Sequence, residues 1–160
     1  MYELSQRPDL QSSLRGELLS LSPPILYPIS ASNSDDSKPR VALPSPRDID
    51  ALPLLNAILF ETLRVHPSIP GSLPRVTSSS NLQTPTPLLG YPNIPPGIRI
   101  SAQAYSLHRN PDVFPDPETW KPERWREVSQ KKRNEMMRWL WAFGSGPNMC
   151  IGKSLAILGE

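Results

Sequence analysis

The chain has 160 residues, with 17 Lys and Arg against 15 Asp and Glu for a formal charge of +2, and one cysteine. So slight a charge excludes the basic footprint of a nucleic-acid binder, and a single cysteine excludes an intrachain disulfide framework. Hydrophobic residues are only 38% of the chain while proline occurs 21 times, so much of it is expected in turns and extended loops, and an independent compact domain is not expected.

In chain order, Met1 to Gln6 reads as the end of a helix cut by Arg7-Pro8, and Pro8-Asp9 opens another with Leu10, Leu14, Leu18 and Leu19 on one stripe. A pattern already helical at its first residues suggests sequence upstream. Residues 20–47 are rich in Ser and Pro without periodicity, so they read as a flexible linker or insertion. Asp48-Ile49-Asp50 is expected to cap the next helix, in which Leu52, Leu55, Leu59 and Leu63 recur until Pro67 forbids continuation. Prolines then punctuate short apolar pieces such as Leu88-Leu89 and Ile98-Arg99-Ile100, which read as a small sheet of hairpins. A short helical turn after Tyr105, a proline-rich stretch from Asn110 to Pro122 and a charged helix near Val128 to Leu140 follow. The fold class expected is mainly α with a small β-sheet (α+β). No run approaches the ~18 apolar residues that span a bilayer, and Met1 to Arg7 is no signal peptide, so no anchor or signal is expected in this chain.

The most informative segment is Phe143-Gly144-Ser145-Gly146-Pro147-Asn148-Met149-Cys150-Ile151-Gly152. Its glycines allow a tight loop around one sulfur and let amide N–H groups aim at it. The apolar run Ile151, Leu155, Ala156, Leu158 then opens a helix whose positive end favours a thiolate. Alone, a single cysteine is more often a small buried hydrophobe. Two further pieces stand out. Glu61 and Arg64 are neighbours on one helix face, ordinarily a surface ion pair, and Pro122-Glu123-Arg124-Trp125 offers a later arginine.

The cysteine segment resembles the haem-binding signature of the cytochrome P-450 monooxygenases, Phe-x-x-Gly-x-Arg-x-Cys-x-Gly, with Asn148 where that family usually has arginine. Glu61-x-x-Arg64, Leu73-Pro74-Arg75, Tyr105 to Pro111 and Pro122-Glu123-Arg124 follow the family's order, so residues 1–160 resemble its C-terminal, proximal part, of eukaryotic microsomal type, with 20–47 inserted. The resemblance implies a partial fold and a haem b (iron protoporphyrin IX) cofactor. Cys150 would be the axial iron ligand, within a loop formed by Phe143, Gly144, Gly146, Asn148 and Gly152. Arg75 would pair a haem propionate, Ile69 would line the substrate pocket, and Glu61, Arg64 and Arg124 would form a structural triad. His108 is read as a capping or packing residue rather than a second axial ligand.

The activity implied is insertion of one oxygen atom of O2 into a small, apolar organic substrate, with electrons from an NADPH-dependent reductase. Lys131, Lys132 and Arg133 are a docking face for that donor, or else a solvated basic helix. The parent protein would sit at the endoplasmic reticulum membrane, on its cytosolic face. The family's long helix, with an acid and a threonine that handle dioxygen protons, is not in these residues, so the chain alone is expected to be inactive. A haem-thiolate isomerase or dehydratase, and a non-catalytic haem-binding or interaction fragment, are the alternatives.

Overall fold

The computed structural model describes residues 2–24, 44–77, 86–88, 90–154 and 156. Most of the segment read as a linker, together with Leu89, Leu155 and Leu158, lies outside them. The architecture is mainly α with two small antiparallel sheets, an α+β fold.

Helix α1 (Tyr2–Ser5) is one turn, and α2 (Pro8–Leu19) begins with proline at its first position, where the missing N–H leaves nothing unsatisfied. Asp48-Ile49-Asp50 does not cap the long helix. It forms its own turn, α3 (Pro46–Asp50), whose cap is Ser45 accepting from the Asp48 N–H at 3.3 Å. The long helix α4 (Pro53–Val65) then starts at Leu52, a residue without a capping oxygen. Its first free amides are met instead by a carboxylate of another helix: Leu54 and Leu55 donate to Glu17 Oε1 and Oε2, each at 2.9 Å. A negative group at a helix N-terminus also complements the positive end of the dipole.

The buried face of α4 differs from the leucine stripe. Leu54, Ala57, Ile58, Glu61, Arg64 and Val65 are buried, while Leu55, Leu59 and Leu63 are only half-buried. Two clusters pack on it. Leu10, Leu54, Ile58, Val65 and Trp120 form one, and Ala57, Val113, Phe114, Trp125 and Met136 the other. In the second, Trp125 meets Phe60 at 5.4 Å and Phe114 at 6.1 Å, both tilted, as aromatic quadrupoles prefer.

Strand β1 (Ser72–Val76) pairs antiparallel with β4 (Arg99–Gln103), while β2 (Thr86–Leu88) and β3 (Tyr91–Ile94) make a separate hairpin. The expected single sheet of hairpins is therefore two sheets, one joining strands distant in sequence. Its open end is tied by Thr77, which accepts from the Ile98 N–H at 3.0 Å and donates to the Pro95 carbonyl at 2.8 Å, beside Gly97 at φ 81°. Helix α5 (Ala104–Leu107) follows β4 directly, a 3-10 turn covers Pro122–Trp125, and α6 (Gln130–Trp139) is capped by Ser129. No helix among the described residues is long and apolar enough to cross a membrane.

Removing the Glu17 carboxylate in Glu17→Ala is expected to lower the unfolding free energy by about 1–2 kcal/mol, with Glu17→Gln intermediate, since it strips two charge-assisted bonds from α4. A urea titration of the three proteins measures this.

Candidate functional site

Three of the residues singled out in sequence meet inside the protein. Glu61 and Arg64 are fully buried and Arg124 is 8% exposed. Glu61 Oε1 accepts from Arg64 Nη2 at 2.8 Å, Arg124 Nε at 2.9 Å and the Lys121 N–H at 2.9 Å. Its Oε2 accepts from Arg64 Nε at 3.0 Å and the Trp125 indole at 2.9 Å. The arginines spend their remaining N–H groups on carbonyls of the irregular stretch between α5 and the 3-10 turn. Arg64 Nη1 reaches His108 at 2.9 Å and Pro117 at 2.7 Å, and its Nη2 reaches Thr119 at 3.2 Å. Arg124 reaches Pro115 at 2.7 Å, and Asp116 and Thr119 at 3.2 Å. That set of carbonyls holds Asp116 in a left-handed conformation, φ 50°, which aspartate tolerates better than most residues. Burial alone would push the Glu61 carboxyl up, but the hydrogen bonds and charge of Arg64, then the Lys121 amide and Arg124, take it below the usual carboxylate range. The ion pair is thus buried rather than solvated.

The cysteine segment is a loop closed on itself. Gly144 donates to Trp141 O at 3.0 Å, Cys150 donates to Phe143 O at 2.9 Å, and Met149 donates to Gly146 O at 3.0 Å. Gly144 and Gly146 sit at φ 74° and 72°, where a side chain would be strained. Among the described residues no amide N–H reaches Cys150 Sγ, so the expected aiming of amides at the sulfur is not what the loop does. Its amides close the turn, and the sulfur is left exposed. A side chain at Gly152 would put its Cβ 3.7 Å from that sulfur.

Beside Cys150 lies a cavity of about 310 Å³ that Ile69, Phe143, Gly144 and Asn148 also line, together with Ser68, Leu73, Trp141 and Ala142. Five candidates thus converge on one apolar hollow with a thiol at its wall. Ile69 is 63% exposed, on the turn between α4 and β1. Gly146 and Gly152 shape the loop without lining the cavity. Arg75 is not at the wall: its guanidinium is exposed and donates to Pro74 O at 2.9 Å. It does share a strand face with Leu73, two residues earlier, which lines the cavity. Leu73 and Trp141 were not singled out in sequence. The i, i+2 relation to Arg75 would have found the first, and the aromatic immediately before the loop is the signal for the second. Lys131 on α6 is exposed, whereas Lys132 donates to Asp112 O and Glu135, and Arg133 donates to Trp125 O.

An exposed thiol at the wall of an apolar hollow, on a loop turned at Gly144 and Gly146, is a donor set that fits a group held through one sulfur.

Residues 1–159 match the model of the family described as Cytochrome P450. The chain is 40% identical over 107 residues to "Cytochrome P450 monooxygenase orf2" of Aspergillus niger, an alignment covering 67% of this chain and 20% of that protein. It is 31% identical over 167 residues to "Cytochrome P450 monooxygenase avaI" of Aspergillus versicolor, covering 100% and 37%. It is 36% identical over 156 residues to "Cytochrome P450 11B2, mitochondrial" of Mesocricetus auratus, covering 98% and 25%. The chain therefore spans well under half the length of these relatives.

Two outcomes follow from the buried charges. Glu61→Gln leaves two arginines facing a neutral amide and is expected to destabilise by about 3–5 kcal/mol, read from the urea midpoint. His108 is buried, and burial first, then the charges of Arg64 and Arg109, lower its pKa from 6.5 to about 4. The folded state thus resists a proton that the unfolded state accepts. The contribution of His108 to stability is complete above about pH 6.5 and falls by on the order of 3 kcal/mol as the pH drops to about 4; denaturation at stepped pH, compared with His108→Gln, which lacks this share, checks it.

Proposed function

The chain belongs to the cytochrome P450 family, and from that premise we propose that it is the haem-thiolate part of a monooxygenase, in which Cys150 would hold the iron of haem b. The observation that carries this reading is the exposed Cys150 sulfur on a glycine-turned loop, at the wall of the apolar hollow. Haem bound there supplies activation of dioxygen, so that one oxygen atom enters a small, apolar organic substrate while a reductase provides electrons.

The chain's own residues divide the remaining work. Cys150 would hold the iron through its sulfur as a thiolate, the electron-rich ligand that the haem's oxygen chemistry would call for. Phe143, Leu73 and Trp141 keep water from one side of the ligand. Gly152 keeps a side chain off the sulfur, while Gly144 and Gly146 supply the positive-φ turns of the loop. Asn148 offers a neutral donor where a propionate would otherwise meet arginine, a bond about half as strong. Arg75, swinging off the Pro74 carbonyl, is the cation for a propionate. Ile69 belongs to the substrate side. Glu61, Arg64 and Arg124 hold the stretch before the loop in register, a structural role.

The same proposal makes these 160 residues inactive alone, because the described residues that line the hollow include no carboxyl group and no histidine to supply protons. It also takes residues 20–47 as a connection outside the site. The electron donor is an NADPH-dependent reductase, met by Lys131 with Lys132 and Arg133 beside it, and the parent protein lies on the cytosolic face of the endoplasmic reticulum membrane. The relative from Mesocricetus auratus, named as mitochondrial, gives the competing location, and cell fractionation separates the two.

The test is the absorption of the reduced, carbonyl-bound protein after reconstitution with haem. A red-shifted thiolate Soret band is expected, and it should vanish in Cys150→Ala; its absence from the unsubstituted protein would overturn the reading. Asn148→Arg should slow haem loss, measured as transfer to an apo-globin acceptor. An unchanged rate would deny Asn148 a propionate contact.

A further inference from the structure

His108 has no part in the chemistry above, yet its buried ring is engaged at both nitrogens. Nδ1 lies 2.9 Å from the Arg64 carbonyl, and the Trp141 N–H donates to Nε2 at 2.8 Å. A carbonyl oxygen only accepts and an amide N–H only donates, so the proton is on Nδ1 and Nε2 presents its lone pair. The partners thus fix one neutral tautomer. Each end of the link leads somewhere. Arg64 returns the bond by donating to the His108 carbonyl at 2.9 Å, and it is gripped by Glu61. Trp141 opens the cysteine loop: its carbonyl accepts from Gly144, and Phe143 two residues on accepts from Cys150.

We infer that His108 is a positioning residue that ties the start of the cysteine loop to the buried Glu61–Arg64 pair, and that protonation at Nε2 releases the loop. A protonated Nε2 faces the Trp141 N–H donor to donor, so the bond cannot survive. The charged groups around the ring are Arg64 and Glu61 from α4 and Arg109 next in the chain, with Glu118 behind Arg109. The two nearest are cations, and neither carboxylate is hydrogen-bonded to the ring. The latch is therefore closed at neutral pH and opens only in acid.

The consequence for the sulfur rests on Cys150 being the haem ligand, but the latch itself is read without haem. Amide hydrogen exchange on the 160-residue chain, resolved to single residues and scaled to the random-coil rate at each pH, reports it. At pH 7 the Trp141 and Cys150 amides should be protected. His108→Phe, which removes both ring bonds, should speed their exchange about tenfold, confined to residues 141–150. His108→Gln, whose amide both donates and accepts without titrating, should restore protection. Lowering the pH to about 4 should release these amides in the unsubstituted chain and leave them protected in His108→Gln.

The inference is overturned if the two amides are unprotected at pH 7, if His108→Phe leaves them unchanged, if it releases the whole chain rather than the loop, or if His108→Gln follows the same acid response. A failure here leaves the Soret test untouched, and a missing Soret band leaves the exchange result standing.

Discussion

Everything else in the fold depends on Glu61 being ionised in the interior. A bare carboxylate there would cost several kcal/mol, and this one is bearable because five N–H groups from four residues converge on its two oxygens. The arginines that neutralise it then carry the order outward. Through them, carbonyls of residues 108, 115, 116, 117 and 119 are fixed without any regular secondary structure. A proline-rich stretch has few amides to pair with itself, so guanidinium groups take the place of a ladder.

This changes which side of α4 faces inward. The helix buries its charges and leaves Leu55, Leu59 and Leu63 half-buried. Arg64 also lies over the Phe114 ring at 5.3 Å, so the charge network and the aromatic cluster share a wall. The structure keeps two modest clusters packed on this helix, each built around a tryptophan, instead of one deep core.

How much of this could be read from the residues depends on whether the signal is local. Pro8 and Pro67 set helix limits because proline lacks an N–H, and the structure starts α2 at Pro8 and ends α4 at Val65. The charged run near Val128 to Leu140 marked α6, which the structure starts at Gln130 after a Ser129 cap. The tight cysteine loop was legible in its glycine spacing, and five candidate residues do share its cavity. Partners distant in sequence were not legible. Leucine periodicity pointed to the wrong face of α4, because it cannot know that Glu61 has two buried cations. The pairing of β1 with β4 and the cap that Glu17 gives α4 cross long separations, and Arg75 hydrogen-bonds its own neighbour rather than the cavity. The family resemblance supplied the triad, which spacing alone would have left as a surface ion pair.

The Glu17 cap has a bearing on how the chain tolerates change. It clamps α2 to the first turn of α4, so the stretch between them is closed at both ends by contacts that do not involve it. Closure entropy grows only logarithmically, about 0.6 kcal/mol for each doubling of loop length. In closure entropy, a change in the length of that stretch therefore costs little, while a single substitution at Glu17 touches the joint that closes it.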